Sequence, residues 1–287
     1  LYTDENHTFV CVLSSLNLLR WDEWKDYRGK HTGKSVPELI IYLLDAVCEE
    51  FIVKASRLNS MGRAVRFAKK SRALGAGTMG LAALYQKHRI PFESEAARAL
   101  NIEIHSFIQS EAIKASKQLA EDYGEPEWCE GSGMRNTHLL ATAPTRTNSV
   151  IYGAISQGIE PLESNLFVAK QAKGTFVRRN PFLESLLEEK GKNTDEVWDS
   201  LIESRGSVKH LDFLSEEEKE VFLTAREINQ LEIIRQAAER QPYICQAQSL
   251  NLFLDETAEA DYIWLLHLAA WRYGLKSLYY LRSSSKL

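Results

Sequence analysis

The sequence predicts a helix-rich α/β fold built on buried parallel strands. Three observations carry this. Long helical patterns alternate with short apolar runs. Those runs are continuously apolar rather than alternating, as strands covered on both faces are. Helical periodicity covers more of the chain than is usual for a globular protein.

The elements follow in order. Thr8 to Leu13 is β-branched and apolar and reads as a strand. Gly29 to Gly33 breaks the pattern. Ser35-Val36-Pro37-Glu38 has the form of a capping box with an early proline, and the helix continues from Leu39 to Ala55. Its expected inner stripe is Ile40, Leu43, Leu44, Val47 and Phe51, with Cys48 beside it as a core thiol. Gly75 to Gly80 fits GxGxxG. The preceding Arg66 to Arg72 is no buried strand, so a dinucleotide fingerprint is rejected; a tight turn into a helix with close packing is expected. A second long helix spans Ser94 to Tyr123 and stops at Gly124, with Ala97, Leu100, Ile104, Ile108, Ala112, Ala115 and Leu119 on one face. Leu139 to Pro144 is a buried-strand candidate, followed by a polar loop and a helix near Val150. Helices are expected at Pro181 to Glu189, Thr194 to Glu203 and Ser215 to Arg240, the last opened by a second capping box, Ser215 to Glu218. Ala247 to Leu254 is strand or irregular. Glu256 to Tyr273 is an amphipathic helix ended by Gly274, and Leu275 to Leu281 is a strand.

The 287 residues suffice for one large core, and 44% apolar with 26% charged residues exclude wholesale disorder. A net charge of -4 argues against an electrostatic nucleic-acid binder. No run reaches the roughly 20 apolar residues that cross a bilayer, so no membrane partner is expected. Cys11, Cys48, Cys129 and Cys245 lie far apart without CxxC, which indicates neither zinc nor a disulfide framework and suits a reducing cytoplasm. The seven histidines form no HExxH, and no metal site is expected.

Three places invite chemistry. The loop Thr145, Arg146, Thr147, Asn148, Ser149 puts hydroxyls, an amide and a guanidinium between a strand end and a helix start. That suits a phosphate cradle; ordinary capping by Thr147, Asn148 or Ser149 explains the same residues. Cys11 is a buried structural thiol or one half of a redox dithiol with a remote partner. Tyr279 and Tyr280 by pattern are packing residues, whose side chains a regular strand would send to opposite faces.

Five stretches together are more specific: Phe9–Leu18 (FVCVLSSLNL), Leu74–Leu81 (LGAGTMGL), Ala143–Ser149 (APTRTNS) with Gly158–Pro161 (GIEP), Gln246–Phe253 (QAQSLNLF) and Leu275–Arg282 (LKSLYYLR). In this order and spacing the chain resembles the C-terminal half of the large, catalytic subunit of class I ribonucleoside-diphosphate reductase. The resemblance implies that residues 1–287 form a partial catalytic domain, the later part of a ten-stranded α/β barrel. It implies radical-based reduction of ribonucleoside diphosphates to deoxyribonucleoside diphosphates for DNA synthesis. Cys11 matches the second cysteine of the reducing pair, residues 145–149 the substrate diphosphate loop, and Tyr279 and Tyr280 the stacked tyrosines of radical transfer, in a strand irregular enough for the rings to meet. The implied partners are an N-terminal part of the large subunit, a small radical-generating subunit holding the metal or radical cofactor, and thioredoxin or glutaredoxin. No cofactor is implied for this chain itself. The family's Asn-x-Cys-x-Glu radical motif, the first cysteine of the pair and the tail with its shuttle cysteines have no match here, and Arg146 and Asn148 depart from many relatives. The chain alone is therefore expected to be inactive. The alternative is a catalytically silent nucleotide-binding or assembly module of the same fold.

Overall fold

The computed structural model describes residues 2–171 and 174–283. β1 (Val12–Asn17) leads through a short turn of helix, α1 (Trp21–Trp24), to α2 (Val36–Ala55). Ser35 and Glu38 close the expected capping box at the start of α2. α3 (Gly62–Ser71) ends where Arg72 turns left-handed, and β2 (Leu74–Met79) follows. Next come α4 (Leu81–Lys87) and α5 (Glu95–Tyr123), the latter capped by Ser94 and ended at Gly124. After an extended stretch at 139–142 come α6 (Arg146–Ile151) and an antiparallel hairpin, β3 (Leu166–Gln171) with β4 (Gly174–Arg179). α7 (Pro181–Glu189), α8 (Asp195–Glu203), α9 (Glu216–Val221) and α10 (Gln230–Arg240) precede β5 (Leu252–Leu254), α11 (Ala260–Arg272) and β6 (Leu281–Ser283).

The extended segments stand side by side in chain order. β1 pairs in parallel with β2, Val12 opposite Leu74 through Asn17 opposite Met79. The 139–142 stretch joins β2 through the parallel bridge Ala76–Leu140, and 246–249 joins it in turn through Thr142–Gln248. β5 continues that segment and pairs in parallel with β6. Each step crosses through helices, as parallel neighbours require. The result is five parallel segments in one succession, which among the described residues does not close on itself.

The two faces of this succession differ. Leu16, Leu74, Ala76 and Leu140 lie in the main core with Ile41 and Leu44 of α2 and Ile104 and Ile108 of α5. On the other face, a Cβ on Gly75 would meet the side chains of Leu13, Cys11 and Ala141. Leu13 there is 54% exposed, so this is the open face. A second core, with Leu183, Leu187, Trp198, Leu201 and Phe222, joins the hairpin to α7–α9. Asn180 pins this unit to α4, its amide donating to Gln86 Oε1 at 2.9 Å and to Asn165 Oδ1 at 2.8 Å.

Several expectations are corrected. The first strand starts at Val12, not Thr8, and runs on through Ser14 and Ser15, because its partner β2 sets its length. The inner stripe of α2 is rotated: Leu43 and Val47 are exposed while Ile41, Asp45 and Ile52 are buried, since Asp45 enters an ion cluster. The glycine-rich stretch is itself the buried strand β2. Gly77 cannot carry a side chain because a Cβ would lie 2.3 Å from the Ala141 carbonyl oxygen, so close strand approach overrides low strand propensity. The helix expected near Val150 begins at Arg146. Residues 222–229 interrupt the helix expected over Ser215 to Arg240, and Asn229 caps the second part. The helix expected from Glu256 begins at Ala260, and the last strand spans only Leu281–Ser283.

Candidate functional site

Cys11 sits just before β1, where Gly75 of β2 leaves room for its sulfur. Its thiol donates to Gln246 Oε1 at 3.8 Å. The Gln246 amide nitrogen donates to the main-chain oxygens of Leu74, at 2.8 Å, and Leu140, at 3.3 Å. Both amide hydrogens are thus engaged and the amide oxygen must face the sulfur. Burial pushes the Cys11 thiol up to about 11. The corner therefore holds a protonated thiol, a donor of hydrogen rather than a ready nucleophile.

The 145–149 loop is the first turn of α6. Thr145 occupies the cap position but adopts φ +52°, a left-handed conformation costly for a β-branched residue. Its hydroxyl does not cap the helix. Oγ1 instead accepts from the Gly158 N–H at 2.8 Å, drawing the 158–161 stretch over the loop. Thr145 and Ser149 are buried, whereas Arg146, Thr147 and Asn148 are exposed. Capping by Thr147, Asn148 or Ser149 is thus not what the structure shows; no side chain caps this turn. Its free N–H groups, with the three exposed polar side chains, can receive an anion. Asn17, at the end of β1, holds the far end of α6 by donating to the Tyr152 carbonyl at 3.0 Å.

Tyr279 and Tyr280 lie in irregular chain before β6, so their rings are not forced to opposite faces. The ring centroids are 4.2 Å apart at 50°. Both rings are about half exposed, and the Arg282 guanidinium lies 5.5 Å from the Tyr280 ring. The hydrogen bond with Tyr280 pushes the Tyr279 phenol above its ordinary value. The pair is anchored by its main chain: Tyr279 N–H donates to Leu250 O at 2.9 Å, and Tyr280 N–H to Asn251 Oδ1 at 3.0 Å.

The structure joins the loop to the tyrosines. Asn251 Nδ2 donates to Glu160 Oε1 at 2.5 Å, and Gln157 Nε2 donates to Glu160 Oε2 at 3.0 Å. Glu160 is 1% exposed. Burial raises its carboxyl to about 7, with Glu163 adding to the shift and Arg282 opposing it. Cys11 reaches the same framework through Gln246 and the 139–142 segment that runs into the loop. Sequence reasoning gave no role to Gln246, Glu160 or Asn251. All three stand inside the motif stretches, but nothing in their spacing shows that they bond to one another. Among the described residues no group of three His, Cys, Asp or Glu side chains is placed to hold a metal ion, and no helix is long and apolar enough to cross a membrane.

Comparison with known proteins is consistent throughout. The profile of the ribonucleotide reductase barrel domain matches residues 1–132 and 126–281. The ribonucleoside-diphosphate reductase large subunit of Invertebrate iridescent virus 6 is 42% identical over 287 residues, covering 99% of this chain and 29% of its own length. The large subunit of Invertebrate iridescent virus 3 is 38% identical, covering 99% of this chain and 44% of its own length. The solved structure of the Actinobacillus ureae class Id ribonucleotide reductase alpha subunit superposes with a TM-score of 0.91 at 44% identity, covering 99% of this chain and 52% of that one. The chain thus spans about half or less of the length of these relatives. With this match, the five successive parallel segments are part of the α/β barrel of that family, and the chain belongs to the ribonucleotide reductase barrel-domain family.

Proposed function

We propose that this chain is the later part of the catalytic barrel of a ribonucleoside-diphosphate reductase large subunit. It works with an N-terminal part of that subunit, which supplies the radical cysteine and the first cysteine of the reducing pair. The exposed first turn of α6, residues 145–149, holds the substrate diphosphate, with Arg146 adding positive charge. Tyr279 and Tyr280 carry the oxidising equivalent inward from a small subunit that houses the metal or radical cofactor. At the ribose, the 2′-hydroxyl leaves as water and C2 gains a hydrogen. The two electrons come from Cys11 and its partner thiol, which become one disulfide. Thioredoxin or glutaredoxin returns that disulfide to two thiols.

The observation that supports this most is the contact between the Tyr279 and Tyr280 rings. A packing pair would be buried; this one is half exposed and yet ordered by main-chain bonds. The setting of Cys11 favours a working reductase over a silent module, since burial keeps the thiol in the hydrogen-donating form that the reduction consumes and Gln246 Oε1 receives that hydrogen. The test is diphosphate reduction by the assembled large and small subunits. Tyr280→Phe removes the oxidisable O–H and little volume, so turnover should fall at least about a hundredfold with folding kept. Cys11→Ser should leave radical chemistry possible but stop multiple reductive cycles. Normal multiple turnover by both variants would refute the reading.

A further inference from the structure

A carboxyl that is 1% exposed and whose side-chain partners, Asn251 and Gln157, are both amides needs a reason to be there. Glu160 stands where two arms meet. One arm runs from Oε1 through the Asn251 amide to the Tyr280 main-chain N–H. The other runs from Oε2 to the Gln157 amide. The adjacent Gly158 N–H is bonded to the Thr145 hydroxyl, which lies in the strained residue that opens the anion-receiving turn. The turn is closed on itself, since Glu160 N–H donates to Gln157 O at 3.3 Å. Asn251 has no freedom in this scheme. Its oxygen is committed to Tyr280 and its nitrogen to Glu160.

We infer that Glu160 is a positioning residue that locks the 145–149 loop and the Tyr279–Tyr280 pair into one frame, so that substrate seating and the geometry of radical transfer depend on each other. This rests on the proposed reductase function. Glu160 touches neither a substrate nor a phenol, and acts only through Asn251, Gln157 and Gly158.

The experiment uses the complete assembled enzyme with Glu160→Ala, Glu160→Gln and Thr145→Val. Removing the hub cuts both arms, so Glu160→Ala should raise the KM for cytidine diphosphate and lower kcat, each about tenfold, within the range of measured couplings between neighbouring residues. Gln still accepts from Asn251 through its oxygen and meets Gln157 once that amide turns over, so Glu160→Gln should restore both constants to within about threefold. Thr145→Val removes only the hydroxyl of the loop-side arm. It should show the KM effect even if Glu160→Ala folds poorly. A readout independent of turnover is the ¹⁹F signal of 3-fluorotyrosine placed at position 280. Adding cytidine diphosphate should shift it in the native protein and in Glu160→Gln, and not in Glu160→Ala or Thr145→Val. A shift unchanged in every variant, or a fall in thermal stability with KM and kcat unaltered, would overturn the inference. If the native assembly binds the diphosphate and moves the signal but does not reduce it, the reductase reading fails while the frame stands.

Discussion

Single residues here are set by what surrounds them more than by what they are. Thr145 accepts a strained backbone because its hydroxyl is needed by Gly158, and Gln246 is oriented by two carbonyls so that its oxygen meets Cys11. Glu160 shows the cost of such placement. Its folded value, about 7, lies above the ordinary 4.5. A raised carboxyl stabilises the fold fully below the unfolded value and loses that contribution as pH rises through the folded one. Native stability should therefore decline between pH 4.5 and about 7, by at most about 3 kcal/mol from this group. Glu160→Gln cannot ionise, so its urea midpoint should change less over that window. Parallel decline of both proteins would show that another group is responsible.

Elements form where neighbours permit them. β2 is the clearest case, because glycine is a poor strand former and only the neighbouring chain explains it. Gly77→Ala would drive a methyl into the Ala141 carbonyl, a backbone atom with little room to yield. Overpacking of this kind costs about 1–3 kcal/mol, and should be read as a lower urea midpoint with unchanged slope. The same logic sets how much was legible. Helices whose signals are local could be read: the Ser35 and Ser215 capping boxes, the Ser94 start and the Gly124 stop all lie where expected. The break at 222–229 and the shortness of β6 could not, since each depends on partners distant in sequence, while the β3–β4 hairpin is a local pairing that the sequence reading passes over. Of the candidate site, Cys11 and the tyrosine pair are singled out by motif resemblance, their own patterns favouring a core thiol and packing rings; the 145–149 loop by its own pattern suits either a phosphate cradle or ordinary capping. The connecting residues escaped because a hydrogen-bonded chain through Glu160 and Asn251, 91 positions apart, leaves no periodicity to detect.

At the scale of the molecule, a buried ion cluster ties the first helical layer together. Arg72 bonds Asp45 at 2.8 and 2.9 Å and Glu49 at 2.7 Å, and Arg135 and Asn136 reach the same aspartate. Burial alone would raise the Asp45 carboxyl, but the bonds from Arg72 and Arg135 outweigh it and hold it below its ordinary 3.8. A depressed carboxylate contributes stability above the unfolded value and loses it as pH falls through the folded one. Arg72→Met, which leaves one buried charge short of its main partner, should cost about 3 kcal/mol and move acid unfolding to higher pH. An acid-unfolding curve identical to the native one would show that Arg135 and Asn136 suffice.

The succession of parallel segments starts at β1 and finishes at β6, and among the described residues each has a strand on one flank only. The outward flanks carry main-chain donors and acceptors with no ladder to join. Two such borders, one just after Cys11 and one just after the Tyr279–Tyr280 pair, are seams that invite neighbouring backbone. Handled by itself, the polypeptide should be prone to zip onto copies of itself through these two borders.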